Sequence, residues 1–532
     1  MSSIFHFVTI PQANYGGHYK EAFAGQPRFI NPLLAYSSSA DRGLTKLVFA
    51  GLFDYDNEGV LRPDIAERFE VSEDLKEYTV FLHKDVKWHD SENLTADDVI
   101  FTIDMVKNIE YGAVGVSNDI RLAWHDVKIE KIDDHSIKFI LNEEDNTFLH
   151  NLTLGLLPKH IWESVSPEQF QLSQYNQEPI GAGPYEFVNV DINTEDDLIS
   201  SYTLRSNENY HKDVPFITKF SINFYPTRGE AVEAFRNGEV SAVIVEKEEH
   251  ISALGEIAQQ KSIESPHYFA IFFNQSKSIP LAFDEVREAL MLSTDRDAII
   301  KDIFNEQNAS ARYSPFVENM IGFDENLQQS SVDVAGANAV LDEKGWERDE
   351  DGIRKKDDTR LEFTLQVSQS HEQLKRVATS LKEQWKNIGI EMHIEEHEGE
   401  YLSMNIIKPR DYDAILYGHQ MRFDDPNLLP LWHSREKDDP GVNYAMFKDE
   451  EMNSALVDTL KKNNDDERVE LYKKQQERLK NEIPAIFLFA QNLSFMYSDN
   501  IKNVNVNRVN TSYDRYADVN KWYIKEKRIK KE

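Results

Sequence analysis

The pattern that comes nearest to a catalytic motif is the pentapeptide HIEEH at residues 393–397. Its spacing fits the H-x-x-E-H motif of one class of zinc peptidases. That motif needs a helix, which places side chains four residues apart on one face. Apolar side chains alternate here from Ile388 to Ile394, and this alternation predicts a strand. On a strand, residues four apart are separated by ~13 Å, so His393 and His397 are predicted not to share a zinc ion.

A second group of reactive side chains comprises His83, Trp88, His89 and Asp90, which could act as ligands or as a base with its orienting acid. The group adjoins a predicted hairpin turn, and no nucleophile accompanies the His and Asp pair. We therefore expect a structural role. The chain has no cysteine, which excludes thiolate chemistry and disulfide bonds, and no HExxH, GxSxG or EF-hand pattern occurs. No cofactor is expected.

A polar loop is predicted at residues 417–426, YGHQMRFDDP, after the strand-like residues 414–417. Loops at the carboxyl ends of strands in α/β sheets commonly bind ligands, which makes this segment the main candidate for a binding site. The alternative interpretation is a polar surface loop capped by a buried Trp432.

The length and the net charge of the chain limit which class of protein it can be. At 532 residues the chain exceeds the ~250 residues at which single cores stop growing, so two or three lobes are expected. The formal net charge of −34 argues against a nucleic-acid partner, because phosphate binding needs clustered cations. The sequence contains neither an apolar run long enough to span a membrane nor a signal peptide at its start. The basic run at residues 525–531 is expected to be a solvated tail.

The best-marked local structure lies at residues 65–108. Residues 77–82 alternate between two faces, which predicts a strand, and Thr95 with Asp98 three residues later predicts a helix start. An acidic turn, the aromatic-His-Asp sequence of residues 88–90 and a Leu-Thr-Ala-acidic-acidic-Val segment follow in order. This order resembles the signature region of the extracytoplasmic solute-binding proteins of ABC peptide importers, family 5, which include oligopeptide-, dipeptide- and nickel-binding receptors.

The resemblance continues along nearly the whole chain, at residues 16–54, 179–185, 268–274, 286–296, 341–354, 381–390 and 483–489. It implies an α/β fold like that of the periplasmic binding proteins (type II, cluster C), with two α/β lobes around a hinge-closed cleft plus an accessory lobe. The implied divisions are lobe I (residues 1–54, 182–267 and 492–532), accessory lobe II (residues 55–181) and lobe III (residues 268–491). The crossings near residues 269–274 and 487–491 are the expected hinge.

The resemblance also implies a function. It predicts a receptor, not an enzyme, that captures oligopeptides in the interlobe cleft and delivers them to the membrane subunits of an ABC permease. A monomeric, extracytoplasmic lipoprotein is expected, with its leader absent from this sequence. A receptor for nickel chelate, haem or another small solute is the alternative within this class. A zinc-dependent peptidase is a further alternative, and it rests on the HIEEH pattern alone.

Two departures from the family pattern fall in the loop. The Trp expected there is His419, and on one alignment Arg422 occupies the position of the Asp that binds the ligand's α-amino group. On the other alignment that anchor is Asp424, while Arg422 could receive a carboxylate through two parallel hydrogen bonds. The remaining ligand-binding positions implied by motif match are Tyr36, Ser37, Tyr268, Phe272, Asn274, Met421 and Phe423.

Overall fold

The computed structural model describes residues 9–530 except 114, 117, 196, 246, 305–307 and 328–330, and it leaves undescribed the side chains of residues 37, 113, 118, 119, 248 and 530. The strands are numbered in chain order: β1 Thr9–Asn14, β2 His18–Ala24, β3 Phe53–Tyr55, β4 Leu61–Pro63, β5 Ala66–Val71, β6 Glu77–Leu82, β7 Lys128–Asp133, β8 Ser136–Ile140, β9 Tyr185–Ile192, β10 Ile199–Ser206, β11 Lys219–Tyr225, β12 Ala242–Val245, β13 Gln259–Ile263, β14 His267–Phe273, β15 Ala309–Ala311, β16 Glu347–Arg348, β17 Arg354–Lys356, β18 Thr359–Arg360, β19 Glu362–Ser368, β20 Glu391–His397, β21 Ala414–Gln420, β22 Ala485–Gln491, β23 Leu493–Tyr497 and β24 Lys525–Lys530.

The α-helices are numbered in the same way: α1 Ser39–Val48, α2 Ala96–Lys107, α3 Ile109–Ala113, α4 Asn118–Trp124, α5 Lys159–Trp162, α6 Pro167–Phe170, α7 Arg228–Arg236, α8 Glu248–Leu254, α9 Asp284–Leu292, α10 Arg296–Ile303, α11 Val334–Glu343, α12 Glu372–Lys386, α13 Gly399–Tyr401, α14 Leu429–Trp432, α15 Glu450–Leu460 and α16 Asp465–Glu482. Among the described helices, none is both long and apolar enough to cross a membrane.

The chain divides into two compact units, Met1–Glu264 with Leu493–Glu532, and Ser265–Asn492. The first unit contains a seven-stranded sheet in the order β13-β23-β12-β2-β11-β10-β9. Within it, β2 runs parallel to both of its neighbours, whereas the outer pairs are antiparallel. The finer division of this unit into two lobes, expected from the sequence, stays a prediction.

A buried ion pair fixes the centre of the first unit. Arg515 donates from Nη2 to Oε1 of Glu21 over 2.7 Å, and both side chains are fully buried. Tyr19 and Tyr516 donate their hydroxyls to the other carboxylate oxygen at 2.7 Å and 2.8 Å. The carboxylate is therefore both neutralised and hydrogen-bonded, which is what burial of a charge requires.

The best-marked segment of the sequence folds as predicted within a four-stranded antiparallel sheet, β5-β6-β8-β7. β6 spans Glu77–Leu82 and buries alternate side chains. Helix α2 begins directly after Thr95, whose backbone N–H donates to the Asp98 carboxylate over 2.8 Å. Both the strand and the helix start are confirmed.

The basic run at the end of the chain differs from its prediction. It forms strand β24, which pairs antiparallel with β1 from Thr9↔Lys530 to Asn14↔Lys525. Residues 525–530 of the expected solvated tail form an ordered strand, because β1 offers a complementary backbone edge more than 500 positions away in the sequence. Side chains from Lys525 to Arg528 are nevertheless exposed, as the charge pattern indicated.

The second unit is built on a six-stranded mixed sheet in the order β15-β22-β14-β21-β19-β20. Strands β14 and β22 lie side by side near its centre. Each contains a continuous apolar run, which predicts a strand buried on both faces, and the burial of both strands confirms this. At the edge of this sheet, β20 spans the HIEEH pattern, so the predicted strand is confirmed. It pairs in parallel with β19.

Candidate functional site

The site lies where β21 ends in the second unit. The sequence predicts a strand only to residue 417, but β21 continues through Gly418 and His419 to Gln420. The extension arises because β14 supplies antiparallel partners opposite these residues, with Tyr268 facing His419. His419 therefore belongs to the strand and not to the loop, which corrects the expectation from sequence.

Gly418 is needed for close approach of the two strands. A Cβ at this position would lie 2.5 Å from Nε2 of His267 and 2.9 Å from a ring carbon of Phe269. The His267 and Phe269 rings meet edge to face with centroids 4.7 Å apart. The absence of a side chain at residue 418 thus leaves room for this aromatic pair on the face of the sheet opposite the His419 side chain.

Two imidazoles at this end of the sheet are held in the neutral form. Burial lowers the pKa of His419 to about 4, with a smaller contribution from His267. Burial likewise lowers the pKa of His267 to about 4, with a smaller contribution from His371. A neutral imidazole has a lone pair and can accept a hydrogen bond or ligate a metal ion.

Buried and half-buried residues alternate in the loop after β21. Met421 and Phe423 are buried in the apolar core, and the Met421 backbone N–H donates to the Pro266 carbonyl over 3.0 Å. Arg422 lies between these two residues and Asp424 follows Phe423, and both charged residues are half-buried. Arg422 makes no ion pair with any residue that the structure describes. The two charged candidates therefore lie two residues apart on a segment fixed by its apolar neighbours.

The next residue anchors the loop. Asp425 is buried and accepts hydrogen bonds from Arg468 Nη2 at 2.8 Å and from the Tyr472 hydroxyl at 3.1 Å. Arg468 and Tyr472 lie four residues apart on α16, so they share one face of that helix. Sequence reasoning missed this anchor, although a basic and an aromatic residue four apart on a predicted helix would have been a usable signal.

The other predicted positions in the second unit are buried. Tyr268 and Phe272 are fully enclosed, and the Phe272 ring lies among aromatic neighbours with its centroid 5.9 Å from that of Trp432. Trp432 itself is buried, as the surface-loop interpretation expected. Asn274 is buried and donates from Nδ2 to the Arg410 carbonyl over 3.0 Å. Direct ligand contact by these side chains stays a prediction.

Two predicted positions belong to the first unit. Tyr36 is exposed, with 46% of its surface accessible. Ser37 ends a short 3-10 helix, Ala35–Ser37, and its side chain lies outside the described part of the structure. Their roles in ligand binding also stay predictions.

The HIEEH residues do not converge on a single point. His397 Nε2 lies 2.6 Å from the side-chain oxygen of Gln366. His393 instead joins Glu362 and Glu391, and the three offer ligand atoms within 4.8 Å of one another. Arg360 hydrogen-bonds both of these glutamates at 3.0 Å. A cationic side chain thus already pairs with both carboxylates of the only metal-capable group of three found among the described residues.

Comparison with known proteins matches this chain to a family over most of its length. The model of the bacterial extracellular solute-binding proteins, family 5 (middle region), matches residues 60–439. The oligopeptide-binding protein AppA of Bacillus subtilis is 24% identical over 520 residues, which cover 96% of this chain and 92% of that protein. The dipeptide-binding protein of Escherichia coli is 24% identical over 495 residues, covering 87% of each chain.

A solved structure matches the fold. The crystal structure of NikZ from Campylobacter jejuni in complex with Ni(L-His) is 25% identical, covers 95% of this chain and 99% of that chain, and superposes with a TM-score of 0.77. Homologues of this kind are extracytoplasmic binding receptors and not enzymes, so the zinc-peptidase alternative is set aside. The chain belongs to the bacterial extracellular solute-binding proteins of family 5 and has the α/β fold of the type II periplasmic binding proteins.

Proposed function

We propose that this chain is the receptor of an ABC importer that captures oligopeptides and delivers them to a membrane permease. The observation that carries the proposal is the match to an oligopeptide-binding protein over 96% of this chain, supported by the match to a dipeptide-binding protein. The receptor is proposed to act as a monomer, to enclose its ligand by hinge motion, and to be held at the cell surface as a lipoprotein.

The proposed ligand contacts start from the segment that follows β21. Arg422 and Asp424 are both half-buried, so each charge is held in place while part of it stays accessible. We assign Asp424 to the α-amino group of the peptide and Arg422 to a carboxylate, because ionised partners form the strongest hydrogen bonds. Main-chain pairing and hydrated side-chain pockets would supply the remaining affinity with little sequence preference.

A second candidate ligand is a nickel chelate. The supporting observation is the imidazole of His419, which burial keeps neutral by lowering its pKa to about 4. Nitrogen ligands of this kind suit Ni²⁺. The structural relative from Campylobacter jejuni was solved with Ni(L-His). The match to peptide-binding relatives covers as much of the chain, so the peptide remains the first candidate.

Native mass spectrometry after gentle purification tests the proposal, because a closed receptor retains its ligand. A ladder of adducts of roughly 500 to 1200 Da is expected for a peptide of several extended residues at ~3.3 Å each. Treatment with mild acid should release the ladder for sequencing.

The outcome that would overturn the peptide assignment is a single sharp adduct, particularly one that carries the isotope pattern of nickel. A His419→Gln variant separates the two ligands. It should abolish a nickel adduct and leave a peptide ladder in place, since the proposed peptide anchors are Arg422 and Asp424.

A further inference from the structure

The ribbon formed by β1 and β24 carries charge of the opposite sign to the rest of the protein. Strand β24 contains four basic residues and one acidic residue, and β1 contains no ionisable side chain, so the ribbon has a net charge of +3. The whole chain has a formal net charge of −34. A basic element on an acidic protein generates a strongly asymmetric field, which orients the molecule near a charged surface.

The ribbon is a sheet of its own with accessible side chains. Its base is fixed to the first unit by a hydrogen bond from Gly16 N–H to the Phe216 carbonyl at 2.8 Å and by the pairing of Lys502 with Tyr523. Beyond that base, residues 10–12 and residues 525–528 are exposed. The side chains of Lys525 and Lys527 are therefore accessible to a flat surface.

The two faces of the ribbon differ in composition. In an antiparallel pair, residues directly opposite share a face, and successive residues alternate between faces. The register puts Lys525 and Lys527 on one face together with Ile10 and Ile529, and that face contains no carboxylate. Ile10 is 43% exposed. Glu526, the acidic residue of the ribbon, belongs to the opposite face.

We infer that this face of the ribbon docks on an anionic lipid bilayer. Lysines beside anionic headgroups gain Coulomb energy, and an exposed isoleucine beside them can enter the boundary between headgroups and acyl chains. A soluble polyanion would satisfy the lysines but would leave Ile10 in water. The combination of two lysines, two isoleucines and no acidic group fits a bilayer surface better than it fits a polyanion.

Vesicle co-sedimentation of the full chain tests the inference. Binding is expected with phosphatidylcholine vesicles that contain about 30% phosphatidylglycerol, and not with pure phosphatidylcholine, because only the former attract the lysines. Raising NaCl from about 0.05 M to about 0.5 M should remove most of the binding by screening. Equal binding to both vesicle types would overturn the inference.

Charge variants locate the contact. Each lysine near the membrane is worth about 1 kcal/mol, which is about a fivefold gain. Lys525→Glu combined with Lys527→Glu should therefore weaken partitioning by roughly 30-fold or more, and the corresponding double Gln variant should weaken it less, because glutamine adds no repulsion. The matched control is Lys448→Glu combined with Lys474→Glu, two exposed lysines of the second unit. The control has the same net charge, so an equal loss in the control would overturn the inference.

A third variant distinguishes binding to a bilayer from binding to a soluble polyanion. Ile10→Ser should lower vesicle binding roughly fivefold through lost apolar burial, while retention on a heparin column stays unchanged. Retention on heparin that depends on Lys525 and Lys527, without any binding to vesicles, would assign the ribbon to a polyanion and reject the bilayer. An unfolding temperature equal to that of the wild type confirms that each variant remains folded.

Discussion

Arg468 and the buried Asp425 form an ion pair 2.8 Å long that joins helix α16 to the segment carrying the proposed ligand anchors. The two residues are 43 positions apart, and the Asp425 side chain is only 4% exposed. The pair holds the position directly after Asp424, so the geometry of the anchor depends on a helix that supplies none of the proposed ligand contacts.

We expect Arg468→Met to lower the free energy of unfolding of the second unit by about 3 kcal/mol, because it removes a cation from beside a buried carboxylate. Tyr472→Phe should cost about 1–2 kcal/mol, because its hydroxyl donates to Asp425 and accepts from Arg468. Urea unfolding monitored by fluorescence measures both changes. Lys473→Met on the same helix is the control, since its pair with Glu470 is solvent-exposed and should be worth less than about 0.5 kcal/mol. Equal losses for Arg468→Met and the control would contradict the anchoring role.

The two proposed charged anchors, Asp424 and Arg422, are expected to bind opposite ends of a peptide. Asp424→Asn should weaken the affinity for a peptide with a free amino terminus by roughly 10- to 100-fold, because a charge-assisted hydrogen bond is worth about 1.5–3 kcal/mol. An N-acetylated peptide should bind the variant and the wild type equally. Arg422→Met should show the same selectivity for a free against an amidated carboxyl terminus.

Isothermal titration calorimetry measures these affinities with four peptides, in which the amino end is free or acetylated and the carboxyl end is free or amidated. Asp438→Asn is the matched control, since this exposed aspartate lies beyond the loop in the same unit. If Asp424→Asn weakens the free and the acetylated peptides alike, the carboxylate does not bind the amino group, and the effect must come through the fold of the segment.

Gly418 offers a steric test of the strand extension that brings His419 into the sheet. Gly418→Ala places a methyl group 2.5 Å from His267 Nε2, so the neighbouring ring must move. We expect a loss of about 2 kcal/mol in the free energy of unfolding from this overpacking. Gly399→Ala is the control, because a Cβ there would meet nothing within 4 Å. Comparable stability of the two variants would mean that β14 and β21 separate more readily than the structure indicates.

Local patterns in the sequence predicted those elements whose stabilising partners are close in the chain. The alternation at residues 77–82 and the Thr95 start of α2 follow from neighbouring side chains, and the structure reproduces both. The alternation of apolar side chains before and within residues 393–397 correctly predicted a strand, although the HIEEH sequence fits the spacing of a zinc-peptidase motif. The family resemblance, carried by motifs spread along the chain, supplied the fold class.

Features set by distant partners were missed. The extension of β21 to His419 depends on pairing with Tyr268, and the order of the final basic run depends on β1. The Asp425 anchor depends on a helix that begins 40 residues later. Sequence reasoning therefore found the segment that carries the candidate site but not what holds it in place.

The two neutral imidazoles predict an acid-sensitive second unit. The pKa of His267 and that of His419 are each lowered to about 4 by burial, whereas an unfolded chain protonates histidine near pH 6.5. Between these values the unfolded state binds more protons, so the free energy of unfolding must fall as the pH is lowered from about 6.5 to about 4. Below that range both states are protonated, and the contribution levels off.

Replacing one of these rings by a side chain that does not titrate should make the pH dependence shallower. We expect His419→Gln to lose about 2 kcal/mol less than the wild type on going from about pH 7 to about pH 4.5, as measured by urea unfolding at each pH. His125→Gln is the control, because His125 is exposed in the folded protein. A slope equal to that of the wild type in His419→Gln would mean that His419 is hydrated in the folded protein, which would also remove the physical argument for a neutral metal ligand at this end of the sheet.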